Sequence, residues 1–142
     1  MAEQFAFEIH TPYRRFFAGD IETLVIMLSD GEIALYASHS FFIAPVETSI
    51  LKMKNKDGDW LFACISSGIL EVKGHNTILL VEAAEWPAEI DLARAQAAEK
   101  AALERINNSE SFKIDRMAAH AALKRATTRI KAHALAAGHT GA

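Results

Sequence analysis

Between residues 5 and 81 the apolar positions fall in short runs, several of them alternating with polar residues, and turn signals separate each run from the next. Phe5-Ala6-Phe7-Glu8-Ile9, Gly19 to Leu28, Glu32 to Tyr36, Ser49 to Met53, Trp60 to Ile65, Gly68 to Val72 and Thr77 to Val81 each read as a strand. Ser29-Asp30-Gly31, Lys56-Asp57-Gly58 and Lys73-Gly74-His75-Asn76 put glycine and short polar residues where the chain must reverse. Seven or more short strands in under ninety residues predict a β-sandwich or barrel, because one open sheet of that size leaves an apolar face and two edges in water. The segment around Ala37 to Ser49 reads as a loop.

After Pro87 the period changes. A helix opening at Ile90-Asp91 presents Leu92, Ala95, Ala98, Ala102 and Ile106 at spacings of three and four, and Asn107-Asn108-Ser109 interrupts it. A second helix from about Ile114 carries Ala119, Leu123, Ala126 and Ile130 on one stripe, ends before Gly138 and frays in its final residues. Two helices joined by a short polar turn form an antiparallel hairpin. The predicted chain is therefore divided in two: an N-terminal antiparallel β-sandwich or barrel over residues 1–87, then a C-terminal antiparallel two-helix hairpin over residues 88–142.

Composition sharpens that division. All four Val, both Trp and seven of eight Phe lie at or before Trp86, while 17 of the last 55 residues are Ala. Alanine is a strong helix former, yet each one buries far less than the ~1.5–3 kcal/mol worth of a Leu or Ile. Such helices suit an arm able to leave its docking surface while staying helical; a permanently packed hairpin is the other reading of the same residues.

With 142 residues, 51% hydrophobic and 23% charged, the chain suffices for one good core or a small core plus an appended element, and wholesale disorder is excluded. The lone Cys64 sits in an apolar run, which excludes an internal disulfide and reads as an inert buried thiol. No stretch approaches the ~20 apolar residues of a membrane span, and the N-terminus, with Glu3 and no basic region, does not resemble a signal peptide. Direct membrane insertion is not expected. His10, His39, His75, His120, His133 and His139 are scattered without HExxH, His-x-His or cysteine partners, so no metal site is expected. No Walker-type loop and no Gly-x-Ser-x-Gly occur, so hydrolytic or acyl-transfer chemistry has no visible machinery, and no catalytic residue is assigned. A β-barrel hydrolase or isomerase is the weaker alternative.

Several segments together carry a resemblance. Ile65-Ser66-Ser67-Gly68-Ile69-Leu70-Glu71-Val72 is followed by Asn76-Thr77-Ile78-Leu79-Leu80-Val81 and Glu82-Ala83-Ala84-Glu85; upstream stand Asp30-Gly31-Glu32-Ile33-Ala34-Leu35-Tyr36 and His39; downstream stands Ile90-Asp91-Leu92-Ala93-Arg94-Ala95. In order and spacing these resemble the epsilon subunits of bacterial F-type ATP synthases over essentially the whole chain. There are departures. Ala37-Ser38 precedes His39 where the family usually has Pro-Gly, Ser40-Phe41 follows where Ala-Pro is usual, and Glu47-Thr48-Ser49 replaces a common Lys-Pro-Gly. Lost Pro and Gly alter the rigidity of this segment and its partner fit.

The resemblance implies a non-catalytic rotor subunit. Its sandwich grips the gamma subunit of the central stalk and sits on the ring of membrane c subunits, so that ion-driven rotation reaches the catalytic head. Glu32 and His39 match family positions on the face toward ring and stalk. The helical arm docks beside the sandwich or extends into the alpha/beta catalytic head, where it restrains ATP hydrolysis. The implied location is peripheral, on the cytoplasmic side of the cell inner membrane. A stand-alone adaptor on the same fold, lacking a synthase partner, is the alternative.

Charge agrees with an arm that docks electrostatically. From Ser111 onward Lys113, Arg116, Lys124, Arg125, Arg129 and Lys131 face one acid, Asp115, on a chain whose net charge is −3. A basic helix is drawn to an acidic surface, and Lys124, Arg125, Arg129 and Lys131 are the expected inhibitory contacts. A solvated helix face is the plain reading of the same charges. The overall acidity, with a pI near 6.1, speaks against nucleic acid. Some family members bind ATP at the arm, and the matching positions are Glu85, Asp91, Arg94, Arg125 and Arg129. A further Arg of ATP-binding members is Ala101 here. Losing one charged hydrogen bond weakens binding about tenfold or more, so regulatory ATP binding is expected to be weak or absent and no cofactor is assigned. Asp91 reads equally as a helix N-cap.

Overall fold

The structure, a computed structural model, describes residues 3–108 and 112–138. The chain divides into two compact units, Met1–Trp86 and Pro87–Ala142.

The first unit holds nine strands among its described residues: β1 Phe5–His10, β2 Arg15–Leu28, β3 Gly31–Leu35, β4 His39–Val46, β5 Ser49–Asn55, β6 Trp60–Ile65, β7 Gly68–Gly74, β8 Asn76–Val81 and β9 Ala84–Glu85. They follow the order β1-β8-β7-β4-β2-β5-β6-β9, with β3 on β2. Because β1 also pairs with β2, the sheet folds back on itself and encloses the core. Long β2 makes this closure: its first half pairs with β1, and past an irregularity between Ile21 and Thr23 its second half pairs with β5. The pairings are antiparallel except β1 with β8, where Ala6 to His10 run parallel to Asn76 to Leu80.

Alternation drives the packing. Phe5, Phe7 and Ile9 of β1 point inward to meet Leu24 and Ile26 of β2, Leu51 and Met53 of β5, Leu70 and Val72 of β7, and Leu79 of β8. Trp86 packs against this core, stacked on Phe16 with ring centroids 4.4 Å apart. The three predicted glycine turns are observed, and Gly58 and Gly74 take φ of +85° and +53°, which side-chain-bearing residues rarely adopt.

The segment read as a loop, Ala37 to Ser49, is mostly the strand β4. Phe42 pairs with Val72, Ile43 with Glu71, Ala44 with Leu70 and Val46 with Gly68. Phe42 and Val46 turn toward the core. Pro45 argues against a strand when read alone. Apolar partners on β7 override it, and pairing with β7 is a long-range event that local sequence does not announce.

In the second unit a 3-10 turn at Pro87–Glu89 leads to α1, Leu92–Asn107, and then α2, Lys113–Gly138. The helices pack on each other as an antiparallel hairpin, and the 3-10 turn also packs on α2. Ala95 and Ala102 of α1 are buried, but Ala98, expected on the same stripe, is exposed, and Glu99 is half-buried instead. Steps of three and four both fit the periodicity; the contact seam follows Leu92, Ala95, Glu99, Ala102 and Ile106. On α2, Ala119 and Ala126 are buried and Leu123 and Ile130 half-buried, as the stripe requires. Thr128 and Ala132 are buried away from that stripe, so the second half of α2 is covered on two sides. Ser109 and the residues expected to fray beyond Gly138 lie outside the described residues.

Candidate functional site

Glu32 is exposed on β3, opposite Met27, immediately after the turn at Asp30-Gly31. His39 opens β4, opposite Gly74, with its ring edge-on to Phe42 at 6.5 Å between centroids. Ser38 before it adopts φ of +66°, and its hydroxyl lies 3.5 Å from His75 Nε2. β3 ends at Leu35 beside Leu24, whereas β4 returns to bring Val46 beside Leu28. Glu32 is therefore level with the end of β4, and His39 with its start, on the order of 20 Å away at strand rise. The two residues do not form one cluster. They mark opposite ends of the same region of the sandwich.

Glu85 pairs with Cys64 in the short β9–β6 ladder. Asp91 caps α1: it has extended φ and ψ, and its carboxylate accepts the Arg94 backbone N–H at 3.1 Å. Arg94 follows in the first turn, exposed. On α2, Lys124, Arg125 and Lys131 are exposed and Arg129 half-buried. Equal rise along antiparallel helices puts the start of α1 level with the Arg125–Arg129 turn. Asp91 and Arg94 are thus at about the same level along the hairpin as Arg125 and Arg129. Thr128 donates its hydroxyl to the Lys124 carbonyl at 2.6 Å, and Thr127 donates to Leu123 and Lys124, so this stretch of α2 is stitched to its own backbone. Among the described residues no group of three or more His, Cys, Asp or Glu could hold a metal ion, and no helix is long and apolar enough to cross a membrane.

A further surface escaped the reading of the sequence. The outward positions of β1, β8, β7 and β4 align in rows: His10, Leu80, Ile69 and Pro45 in one, Glu8, Ile78, Glu71 and Ile43 in the next. Ile43, Ile69 and Leu80 are each more than half exposed. An open cleft of about 580 Å³ borders the first row, between the Thr11-Pro12 turn and Ser67, Gly68 and Glu82. The signal was present in Ile69-Leu70 and Ile78-Leu79-Leu80, where adjacent apolar residues must put one of each pair on the outside of the sheet.

Comparison with known proteins covers both units. Residues 4–87 match the beta-sandwich domain of the ATP synthase delta/epsilon chain, and residues 88–133 its long alpha-helix domain. The ATP synthase epsilon chain of Caldanaerobacter subterraneus subsp. tengcongensis is 41% identical over 131 residues, which is 92% of this chain and 94% of that one. The epsilon chain of Clostridium novyi is 38% identical over 92% of this chain and 98% of its own. A chain in the mitochondrial ATP synthase of Euglena gracilis, 18% identical, shares the fold with a TM-score of 0.78 over 96% of this chain and 82% of that one. With sandwich and helices each matched in order and nearly the whole length aligned, this chain belongs to the ATP synthase delta/epsilon chain family.

Proposed function

We propose that the chain works as a non-catalytic rotor subunit in the central stalk of an F-type ATP synthase, transmitting ion-driven rotation toward ATP synthesis and restraining ATP hydrolysis through its helical hairpin. The observation that carries this reading is the match of both units to epsilon chains along nearly their whole length. A free-standing adaptor on the same fold, without a synthase partner, is not favoured by relatives that are epsilon chains along nearly the whole length. The partners are the gamma subunit and the c-subunit ring, with Glu32 and His39 on the surface toward stalk and ring, and the alpha/beta head for the extended arm. The subunit is peripheral, on the cytoplasmic side of the inner membrane.

Lys124, Arg125, Arg129 and Lys131 supply the arm's positive face toward an acidic partner surface. Nucleotide, where it binds, does so weakly at Asp91, Arg94, Arg125 and Arg129 of the hairpin, with Ala101 offering no phosphate contact. Asp91 already commits one carboxylate oxygen to its helix cap. Mixing the purified chain with the gamma subunit of the same organism tests the assignment. A stable co-migrating complex is the expected result; failure to associate across several salt concentrations removes the rotor reading and returns the adaptor.

A further inference from the structure

The hairpin is not held evenly along its length. α2 has 26 residues and α1 has 16, so α2 outruns its partner by ten residues, about 15 Å at helical rise. Ala95 and Ala102 of α1 and Ala119 and Ala126 of α2 are buried at equal steps along the two helices. Antiparallel packing then sets Ala102 level with Ala119 near the tip and Ala95 level with Ala126 toward the base. The same register puts Ala132, which is fully buried, level with the 3-10 turn at Pro87–Glu89, and that turn packs on α2. Among the described residues of this unit, the chain beside the overhang of α2 is therefore the stretch ahead of α1.

Base and tip differ in what they bury. At the base Ile90 is buried, and its N–H donates to the Pro87 carbonyl at 3.3 Å. Asp91 follows at once as the cap of α1, so the turn and the helix form one continuous stitched piece. Thr128 is buried as well, which its hydroxyl permits by donating to the Lys124 carbonyl. At the tip the large apolar side chains stand in water: Leu103, Phe112, Ile114 and Met117 are 43% to 80% exposed. Lys113 and Arg116 also place positive charge at the start of α2, where the helix dipole disfavours it, with Asp115 opposing them. We infer that residues 87–90 are a clasp that closes the base of the hairpin, so that α1 and α2 part from the tip and the arm is freed only when the clasp lets go. Separation begins at the tip because little more than Ala102, Ala119 and half-buried Ile106 is lost from packing there. The inference rests on the restraint of ATP hydrolysis proposed above and adds to it the contact that gates the arm.

Amide exchange on the full chain reads the order of opening. Residues 117–121 are expected to exchange about tenfold or more faster than residues 126–134. An overhang without a clasp frays from its free end, so the reverse order would overturn the inference. Ile90→Ala removes the buried side chain and should speed exchange over residues 126–134 about tenfold or more, with the amides of the sandwich strands unchanged. Ala132→Leu crowds the clasp from the α2 side and should act in the same direction. Met117→Ala, exposed at the tip, is the control and should change exchange over 126–134 less than about twofold. If Ile90→Ala and Ala132→Leu both leave 126–134 as protected as in wild type, there is no clasp. In the reconstituted complex, Ile90→Ala should lower the ATP hydrolysis rate about twofold or more, because a freer arm spends more time extended. If that rate is unchanged while deletion of residues 88–142 raises it, the clasp does not gate the arm, and this inference falls while the rotor reading stands. If the deletion changes nothing either, the restraint of hydrolysis falls and the gate falls with it.

Discussion

Gly68 opens β7 opposite Val81 of β8. A side chain there would collide with the Leu80 carbonyl oxygen and approach Val81 Cγ1 to 2.8 Å. Since a backbone oxygen in a sheet ladder cannot step aside, Gly68→Ala is expected to destabilise the sandwich by about 1–3 kcal/mol, read as a lower midpoint in urea unfolding. Asp91 separates two roles cleanly. Asp91→Ala loses the N-cap and should cost about 0.5–2 kcal/mol of helix stability, whereas Asp91→Asn keeps an accepting oxygen and should cost little. If the carboxylate charge has no duty beyond the cap, the two variants will differ in amide exchange at the start of α1 and agree in everything measured on the sandwich.

The two kinds of element are held together by different means. Strands of the sandwich share one core with large fully buried side chains, among them Phe5, Phe7, Ile9, Leu24 and Met53. The seam between α1 and α2 buries Ala95, Ala102, Ala119 and Ala126, with few atoms to lose from water at each position. Hydrogen exchange should therefore show faster opening of α1 and α2 amides than of β1, β2 and β8 amides, and comparable protection would contradict the weakly docked arm. The β4 segment shows the limit of reading elements locally. Ser40, Pro45 and the polar opening at His39 look like loop chemistry, and only pairing with β7 makes the residues a strand. Ala98 and Glu99 make the same point for helices: periodicity located the apolar side, but choosing between adjacent positions requires the neighbouring helix.

For the molecule as a whole, the rotor reading ties regulation to the hairpin. Deleting residues 88–142 should raise the ATP hydrolysis rate of the reconstituted complex while leaving gamma binding by the sandwich in place; an unchanged rate would leave the arm without its regulatory role. Because α2 presents Lys124, Arg125 and Lys131 to solvent, inhibition by the intact chain should weaken as salt rises through the range where the screening length falls from roughly 10 Å to 3 Å. An arm gripped by apolar contacts would respond little to the same change.

The alternation of Phe5, Phe7 and Ile9, the glycine turns and the alanine-rich periodic second half were enough to determine an architecture of sandwich followed by hairpin, since side-chain period and turn stereochemistry are local properties that neighbours a few residues away decide. The order of the motifs was enough to point to the family. Tertiary structure alone decided that β1 pairs parallel with β8, that Ala37 to Ser49 contains a strand, that Glu32 and His39 stand at opposite ends rather than together, and that Ile43, Ile69 and Leu80 share one exposed face. Each of these depends on contacts between residues far apart in the chain, whose energy appears only once the sheet has closed and the register is set.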